Sequence, residues 1–252
     1  MGRKGEKKHL KRKTAPRIWS VHRKEAVWTL KPKPGTHPLS RCIPLALVVR
    51  DMLEFAKTGK EAKKIISQEK IKVNGKVQRE GRFPIGLMDV ISIPDAEKVY
   101  RVFPSGTGFF LHQIEPDETE FKLCRIEDKT VVEGGHVQLN LHDGTSVLIR
   151  VNDPKKPEED VYQTLDTLKL SIPDRDLLGH MKLTIGAPAI IIGGKNRGKS
   201  GKITAMEEKI GQKRRELLVT IEDKDGGQFQ TILNFIFALG DIEPPISLPE
   251  VD

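Results

Sequence analysis

Residues 193–200, GGKNRGKS, match at every position the pattern G-x-x-x-x-G-K-[ST], whose residue types can hold a nucleotide phosphate. The pattern works when a strand precedes it and a helix follows it, because backbone N–H groups and the helix N-terminus then converge on the phosphate. Two hypotheses are open: the chain is a nucleotide hydrolase, or the loop has these residues in a different fold. The elements on either side of the loop distinguish between them.

Those flanking elements favour a β-hairpin. Residues 187–192 are mostly apolar and predict a short buried strand, but residues 201–205 alternate with the period of a strand where a hydrolase needs a long amphipathic helix. About fifty residues follow the loop, too few for the parallel sheet that would supply a metal-binding aspartate. We expect a tight loop in which glycines allow positive φ and basic side chains project towards a phosphate backbone. The glycines are Gly194, Gly198 and Gly201, and the basic residues are Lys195, Arg197, Lys199 and Lys202.

The positive charge of the chain lies mainly at its N-terminus. The formal net charge is +8, yet residues 1–41 alone carry 13 Lys and Arg against two Glu, a net charge of +11. This segment also has four prolines and few apolar residues, so it cannot bury enough surface to offset the entropy lost on ordering. The composition therefore predicts an extended basic arm that is mobile until it binds a polyanion.

Composition and spacing also exclude several classes of protein. The sequence has no run of eighteen apolar residues and no apolar stretch after the N-terminal charges, so we expect a soluble intracellular protein with no membrane partner. Cys42 and Cys124 are far apart and are expected to be free thiols. His136 and His142 lack further ligands nearby, so no metal site, cofactor or small-molecule substrate is predicted. With 5% aromatic residues, base stacking is not expected to be the main mode of binding.

The segment after the arm contains two helical patterns followed by a hairpin. Apolar residues at three- and four-residue spacing predict a helix that begins at Leu45 and ends near Gly59, and residues 61–69 predict a second helix with its lysines outside. Asn74-Gly75 lies between residues 71–73 and 76–77, two short segments that read as strands, and this pair is the signature of a type I′ turn. Residues 89–93 predict the last strand of the segment.

This order of elements resembles the alpha-L RNA-binding motif of several ribosomal proteins and RNA-modifying enzymes, through VNGKV and DVISI after two short helices. The alternative is that the lysines form only the solvated side of an amphipathic helix. Their clustering beside the basic arm favours an RNA-binding surface. The resemblance implies that this surface is lined by Arg50, Lys60, Lys63, Lys64, Lys72, Asn74 and Lys76.

The remainder of the chain predicts short strands. In residues 98–178, short segments in which apolar and polar residues alternate are separated by turns such as Asp143-Gly144. This pattern indicates a β-rich domain. From Gly179 on, four or five short antiparallel strands around the glycine loop predict a small SH3-like barrel. The residues of this region also resemble the KOW motif, a strand-loop-strand unit of ribosomal and transcription-elongation proteins. The matching positions are Gly186, Ile190, Gly194, Gly198, Lys199, Gly201 and Ile203.

The arm narrows the resemblance to one family. It is similar to the arm of the fourth small-subunit ribosomal protein family of the archaeal and eukaryotic type, in its archaeal version. In that family an alpha-L module, a central β domain and a KOW barrel follow the arm in this order, so the resemblance covers nearly the whole chain. We expect Trp19 and Trp28 to pack the arm onto its own protein, with contact to RNA as the alternative. The matching positions are His9-Leu10-Lys11-Arg12, Ala15-Pro16, Trp19, Arg23-Lys24, Trp28 and Pro32-Lys33-Pro34-Gly35-Thr36-His37.

Together these inferences predict an α+β multi-domain protein with an extended basic arm (1–42), an alpha-L α/β module (43–97), a central β-rich domain (98–178) and a C-terminal SH3-like KOW β-barrel with a tail (179–252). The predicted function is that of a structural, non-enzymatic constituent of the cytoplasmic small ribosomal subunit. It would bind small-subunit ribosomal RNA through Lys and Arg contacts to the RNA backbone, beside neighbouring small-subunit proteins, and so support translation. The alternatives are the nucleotide hydrolase and an RNA-modifying enzyme that carries an alpha-L module. The predicted RNA-binding residues are Lys7, Lys8, His9, Lys11, Arg12, Lys13, Arg17, Arg23 and Lys24 on the arm; Arg50, Lys60, Lys63, Lys64, Lys72, Asn74 and Lys76 on the module; and Lys195, Asn196, Arg197, Lys199 and Lys202 on the glycine loop.

Overall fold

The computed structural model describes residues 9–153, 158–207, 216–223 and 226–249. The chain divides into two compact units: residues 9–102 with 107–111, and residues 103–106 with the described residues from 112 onwards. Strands form most of the regular structure, and helices are few and short. Within these described ranges, no helix is long and apolar enough to cross a membrane.

The N-terminal arm is folded in the first unit. β1 (Leu10–Lys11) pairs antiparallel with β2 (Trp28–Thr29), and short 3₁₀ helices lie at Arg12–Thr14 and Leu39–Arg41. Trp19 is 3% exposed, and its Nε1–H donates a hydrogen bond to the backbone carbonyl of Cys42 at a distance of 2.5 Å. The prediction of an arm that is unordered before binding is therefore wrong for residues 9–41, because buried side chains attach this segment to the module that follows.

His37 is a second attachment of the arm. Its imidazole is buried, and Nε2 lies 3.0 Å from Oδ2 of Asp89, whose side chain is also buried. The same carboxylate accepts hydrogen bonds from the backbone N–H of Gly86 and from the side-chain amide of Asn74, both at 2.8 Å. One buried carboxylate thus connects the arm to two other parts of the first unit.

The first helix is shorter than its apolar pattern predicts. β3 (Cys42–Pro44), which pairs with β6 (Pro84–Gly86), leads into α1 (Leu45–Leu47), and the chain continues as a π-helix over Val48–Met52. The prediction that this helix extends to near Gly59 is wrong. Glu54 has a φ of 56°, a left-handed conformation that cannot continue a right-handed helix.

The second helix, α2 (Gly59–Ser67), begins at a capping box. The hydroxyl of Thr58 accepts a hydrogen bond from the backbone N–H of Glu61, and the Glu61 carboxylate accepts from the N–H groups of Lys57 and Thr58. These hydrogen bonds to the charged form hold the pKa of Glu61 below its ordinary value. Ala62 and Ile66 are buried, so the helix has the single apolar face that its spacing predicts.

The predicted hairpin is confirmed and forms one end of a five-stranded sheet. β4 (Lys72–Val73) and β5 (Lys76–Val77) are joined by Asn74 and Gly75, whose φ angles of 49° and 74° are those of a type I′ turn. β4 also pairs with β7 (Val90–Ile93), and a 3₁₀ turn at Pro94–Ala96 leads to β8 (Lys98–Pro104) and then β9 (Phe109–Gln113). The strand order is β5-β4-β7-β8-β9. The prediction that residues 89–93 form the last strand of this segment is therefore wrong, because β8 pairs with β7 and extends the same sheet.

The second unit contains a central five-stranded sheet. After a 3₁₀ helix at Pro116–Glu120, the sheet is formed by β10 (Phe121–Val131), β11 (Val137–Leu141), β12 (Ser146–Ile149), β13 (Thr167–Ser171) and β14 (Leu177–Met181), in the order β12-β11-β10-β13-β14. A tight turn at Glu133–Gly135 joins β10 to β11. Cys124, Ile126, Leu139 and Leu168 are buried in its core. Sequence patterns predicted the first three strands but not β13 and β14.

A buried ion pair joins β10 to the loop before β12. Lys122 Nζ lies 3.0 Å from Oδ2 of Asp143. The hydroxyl of Thr145 donates a hydrogen bond to Oδ1 of the same carboxylate at a distance of 2.5 Å. Burial alone would raise the pKa of Asp143, but the charge of Lys122 and the hydrogen bond from Thr145 hold this pKa well below its usual range. The carboxylate is therefore charged and paired in the folded protein.

A second sheet follows in the same unit. Its strands are β15 (Pro188–Ile191), β16 (Ser200–Glu207), β17 (Leu218–Glu222), β18 (Gln228–Ile232) and, after a 3₁₀ turn at Leu233–Phe235, β19 (Ile236–Ala238); their order is β18-β17-β16-β15-β19. Ala189, Ile191, Ile203 and Val219 are buried in its hydrophobic core. The predicted strands before and after the glycine loop are confirmed, whereas β19 was not predicted.

Arg125 joins the two sheets of the second unit. Its side chain is completely buried, and Nη1 donates to the backbone carbonyls of Asn234 and Ile236 at 2.9 and 2.7 Å. Nε donates to the carboxylate of Glu127 at 3.2 Å. Thr167 adds a hydrogen bond from its hydroxyl to the carbonyl of Ala238, so polar groups of the central sheet cap the carbonyls around β19.

Candidate nucleic-acid interface

The arm exposes most of its predicted RNA-binding residues. In the described part of the arm, five of them have exposed side chains and offer cations or hydrogen-bond donors to solvent. The β1–β2 pairing and the burial of Trp19 fix the backbone that carries them. Lys7 and Lys8 lie outside the described residues. The exposed residues are His9, Lys11, Lys13, Arg17 and Lys24.

Arg12 and Arg23 are used inside the arm. The guanidinium of Arg23 donates to carbonyls within residues 13–16 at 3.1–3.2 Å. Arg12 donates to the carbonyl of His22 at 2.7 Å and to the carboxylate of Glu25 at 2.8 Å. The hydrogen bond and the charge of Arg12 hold the pKa of Glu25 below its ordinary value. Both arginines therefore shape the loop between β1 and β2 and present less of their charge to a partner.

Three predicted lysines form one surface of α2. Lys60, Lys63 and Lys64 are exposed, and their spacing of three and four residues places them on the same side of the helix. Since Ala62 and Ile66 face the core, this lysine surface points away from the apolar interior. The helix thus presents a small group of positive charges to solvent.

The lysines of the hairpin lie on opposite faces. Lys72 pairs with Val77, and Val73 pairs with Lys76. Because directly opposed residues of an antiparallel pair project to the same face, Lys72 and Lys76 cannot share one. Lys76 is exposed and Lys72 is half-buried. The hairpin therefore does not bring its two predicted lysines together on one surface.

Asn74 and Arg50 have partners within the first unit. The amide of Asn74 donates to Asp89 at 2.8 Å, and its Oδ1 accepts from the backbone N–H of Val90 at 2.9 Å. Arg50 forms a two-pronged ion pair with Asp51 at 2.5 and 2.8 Å, and the hydrogen bonding raises the pKa of this guanidinium. Both residues hold local structure, which a resemblance in sequence alone does not reveal.

The glycine loop is a β-hairpin and opens no helix. It connects β15 to β16, and β16 begins at Ser200. The N–H of Gly198 donates to the carbonyl of Ile191 at 2.8 Å, and the N–H of Ile191 donates to the carbonyl of Lys199 at 2.9 Å. In a nucleotide site such loop amides point at phosphate, so their internal use here agrees with the predicted hairpin.

The glycines of this loop allow close packing as well as tight turning. Gly198 has a φ of 91°, a conformation that side chains rarely adopt. Gly201 instead lies against the carbonyl of Glu222 on the neighbouring strand, where a Cβ atom would collide with the backbone. The glycine spacing that resembles a phosphate loop is therefore explained by the packing of β15, β16 and β17.

The basic residues of the loop differ in their exposure. Lys195 and Lys202 are exposed. The ammonium of Lys199 lies 3.7 Å from the centre of the Phe229 ring, a cation–π contact. Arg197 is half-buried, and burial lowers the pKa of its guanidinium. Asn196 donates from its amide to the carbonyl of Gln230 at 3.4 Å. Lys195 and Lys202 are thus the cations of the loop most open to a partner.

His136, His142, Cys42 and Cys124 lie in environments that are explained by the packing and hydrogen bonding of the fold. The Nδ1 atoms of His136 and His142 accept hydrogen bonds from the backbone N–H groups of Val151 and Arg125, both at 3.1 Å. Cys42 and Cys124 are buried and neither forms a disulfide. Burial, together with the nearby charge of Asp89, raises the pKa of Cys42 to about 12. Across the described ranges, no group of three or more His, Cys, Asp or Glu side chains could hold a metal ion.

Trp19 and Trp28 have different environments. The prediction that both pack the arm onto the protein is confirmed for Trp19 and wrong for Trp28, whose side chain is 55% exposed. The ring of His9 lies 5.6 Å from the Trp28 ring, and Lys11 Nζ lies 6.0 Å from it. The sequence gives no signal for this difference, because residues 26–30 are apolar apart from Thr29 and so suggest that Trp28 is buried.

Comparison with known proteins identifies the family. Residues 96–177 match the model of ribosomal family S4e, residues 4–40 the RS4NT domain, and residues 44–91 the S4 domain. The chain is 50% identical over 251 residues to small ribosomal subunit protein eS4 of Staphylothermus marinus, covering 99% of both chains. It is 51% identical to the protein of the same name from Desulfurococcus amylolyticus, with the same coverage.

A solved structure shows the same relationship. The crystal structure of the 30S ribosomal protein S4e from Thermoplasma acidophilum is 28% identical, covers 80% of this chain and 96% of that chain, and has a TM-score of 0.65. The chain therefore belongs to the S4e family of ribosomal proteins, and the relatives named above are archaeal. The S4 match confirms the predicted alpha-L module. Family membership also confirms the prediction of a structural protein that is not an enzyme, and neither alternative function is supported.

Proposed function

We propose that this chain is a structural protein of the cytoplasmic small ribosomal subunit that binds ribosomal RNA by replacing counterions around phosphates, contacts neighbouring subunit proteins, and so supports translation. The observation that carries the proposal is the full-length similarity, at about half identity, to archaeal proteins named small ribosomal subunit protein eS4. The exposed cations of the arm, of α2 and of the glycine loop supply the chemistry. A narrow RNA major groove excludes side chains, so these cations fit a phosphate backbone better than they fit base edges.

The proposed RNA contacts are the predicted residues whose side chains are exposed to solvent. The half-buried residues Arg12, Arg23, Arg50 and Asn74 are proposed to hold the shape of the surfaces beside them, because their donors are engaged with backbone or carboxylate groups. The proposed direct contacts are His9, Lys11, Lys13, Arg17, Lys24, Lys60, Lys63, Lys64, Lys76, Lys195 and Lys202.

The domain layout belongs to the same proposal: an arm (1–42), an alpha-L module (43–97), a central β domain and a C-terminal SH3-like KOW barrel. The strand order β18-β17-β16-β15-β19, with a 3₁₀ turn before the last strand, supports an SH3-like arrangement. Two limits differ from those predicted. β8 and β9 share a sheet with β4, β5 and β7, so we extend the module past residue 97 to include these strands. β14 crosses residue 178, so we place the end of the central domain after Met181.

The test is the salt dependence of binding between the full chain and small-subunit ribosomal RNA. In the double variant Lys63→Ala/Lys64→Ala, the slope of log K against log salt should become less steep by about 0.7–0.9 per lysine. Lys182→Ala removes an exposed charge outside the proposed surfaces and should leave the slope unchanged. Absence of RNA binding by the wild type, or equal slopes for all variants, would contradict the proposal. Nucleotide binding that is lost in Lys199→Ala would support a hydrolase instead.

Sedimentation in a sucrose gradient provides a second measurement. The chain should migrate with the small subunit at low salt, and retention at high salt would indicate contacts beyond surface adsorption. Recovery only in the soluble upper fractions at both salt concentrations would contradict a ribosomal role.

A further inference from the structure

An exposed tryptophan of the arm lies beside His9 and Lys11. Trp28 is 55% exposed, although large aromatic side chains are usually buried. Its backbone is fixed, since Trp28 lies opposite Lys11 in the β1–β2 pair and its carbonyl accepts a hydrogen bond from Arg12 at 3.3 Å. The fold therefore fixes the backbone that presents this indole to solvent.

The neighbours of Trp28 indicate what could cover it. The imidazole of His9 lies 5.6 Å away at an angle of 54°, and the ammonium of Lys11 lies 6.0 Å from the ring centre. Both neighbours are exposed. A ligand for this site should thus combine a flat π-face with a nearby negative charge, which is the chemistry of a nucleotide. An apolar protein surface would leave the charge of Lys11 without compensation.

We propose that Trp28, flanked by His9 and Lys11, is a stacking site for one unpaired base of ribosomal RNA. This inference rests on the proposed function and adds to it a contact that phosphate neutralisation does not provide. The indole stacks on the base while Lys11 lies near the adjoining phosphate. Stacking is tolerant of sequence because every base has a π-face, so the site contributes affinity without reading sequence.

The two tryptophans of the chain make the proposal testable by fluorescence. Single-stranded RNA added to the wild-type protein should quench the emission of Trp28, whereas Trp28→Phe, which retains only the buried Trp19, should show little quenching. A fully paired RNA of the same length should quench the wild type much less. Equal quenching by the two RNAs, or unchanged quenching in Trp28→Phe, would overturn the stacking site.

Affinity for small-subunit ribosomal RNA gives an independent readout. Trp28→Ala should weaken binding about tenfold with no change in salt slope, because the lost contact is uncharged. Trp28→Phe keeps an aromatic face and should retain most of the affinity, and Lys11→Ala should reduce the slope by about 0.7–0.9. Wild-type affinity in Trp28→Ala would overturn the stacking site and leave the proposed function intact. Failure of the wild type to bind any ribosomal RNA would instead contradict the proposed function.

Discussion

Replacement of Arg125 by Met is expected to destabilise the packing between the two sheets of the second unit. The guanidinium is completely buried and donates to the carbonyls of Asn234 and Ile236. Met fills much of the same volume but leaves both carbonyls without this donor, and each buried acceptor left unsatisfied costs about 1–3 kcal/mol. Because two acceptors are affected, we expect the free energy of unfolding to fall by about 2–6 kcal/mol, a large part of the stability of an ordinary domain.

The assay is urea unfolding followed by circular dichroism, with the melting temperature as a second measure. For a chain of this size the expected loss corresponds to a decrease in Tm of roughly 4–24 °C. Arg150→Met is the matched control, because Arg150 is exposed at the end of β12 and its loss should change stability by less than about 0.5 kcal/mol. Arg125→Lys should fall in between, since one ammonium cannot reproduce the planar fork of the guanidinium. A loss below about 1 kcal/mol in Arg125→Met would refute the reasoning.

The remaining predictions concern local features of the fold. Because the folded-state pKa of Asp143 is lowered, its stabilisation is complete above the unfolded value of about 3.9 and is lost as the pH falls below it. Asp143→Asn, which weakens the pair with Lys122, should therefore be less stable than the wild type by about 3–5 kcal/mol at neutral pH, with a smaller difference in urea titrations below about pH 4. Gly201→Ala should lose about 1–3 kcal/mol in thermal unfolding, whereas Gly179→Ala, where a Cβ meets only ordinary contacts, should lose much less; equal losses would contradict the steric argument. Thr58→Ala should lose about 1 kcal/mol by removing the cap of α2, and Thr58→Ser should retain most of it in the same assay.

Local patterns predicted the elements that depend on a few neighbouring residues. Asn74-Gly75 forms the expected type I′ turn, and the alternating residues after Ser200 form a strand and not the helix of a nucleotide site. Both follow from backbone preferences that act over a few positions. Where such preferences compete, prediction failed: the apolar spacing after Leu45 continues past Met52, but the backbone turns at Glu54.

The sequence predicted where the charged residues of the candidate interface lie better than it predicted which of them are available to bind RNA. The sequence by itself determined that positive charge is concentrated in the arm and that lysines line one side of α2, because charge and helical spacing are properties of the residues alone. It could not determine that Arg23 donates to carbonyls within residues 13–16 and is thereby less available to RNA.

Tertiary structure decided which side chains are buried and which remain open to a partner. Trp19 is buried against the segment that begins at Cys42, whereas Trp28 is exposed; similarly, Arg125 is buried because it reaches carbonyls more than 100 residues away. These outcomes depend on contacts between segments far apart in sequence, and buried donors must find acceptors wherever the fold supplies them. The sequence thus determined which chemical groups the protein has, and long-range packing determined which of these groups are exposed to a binding partner.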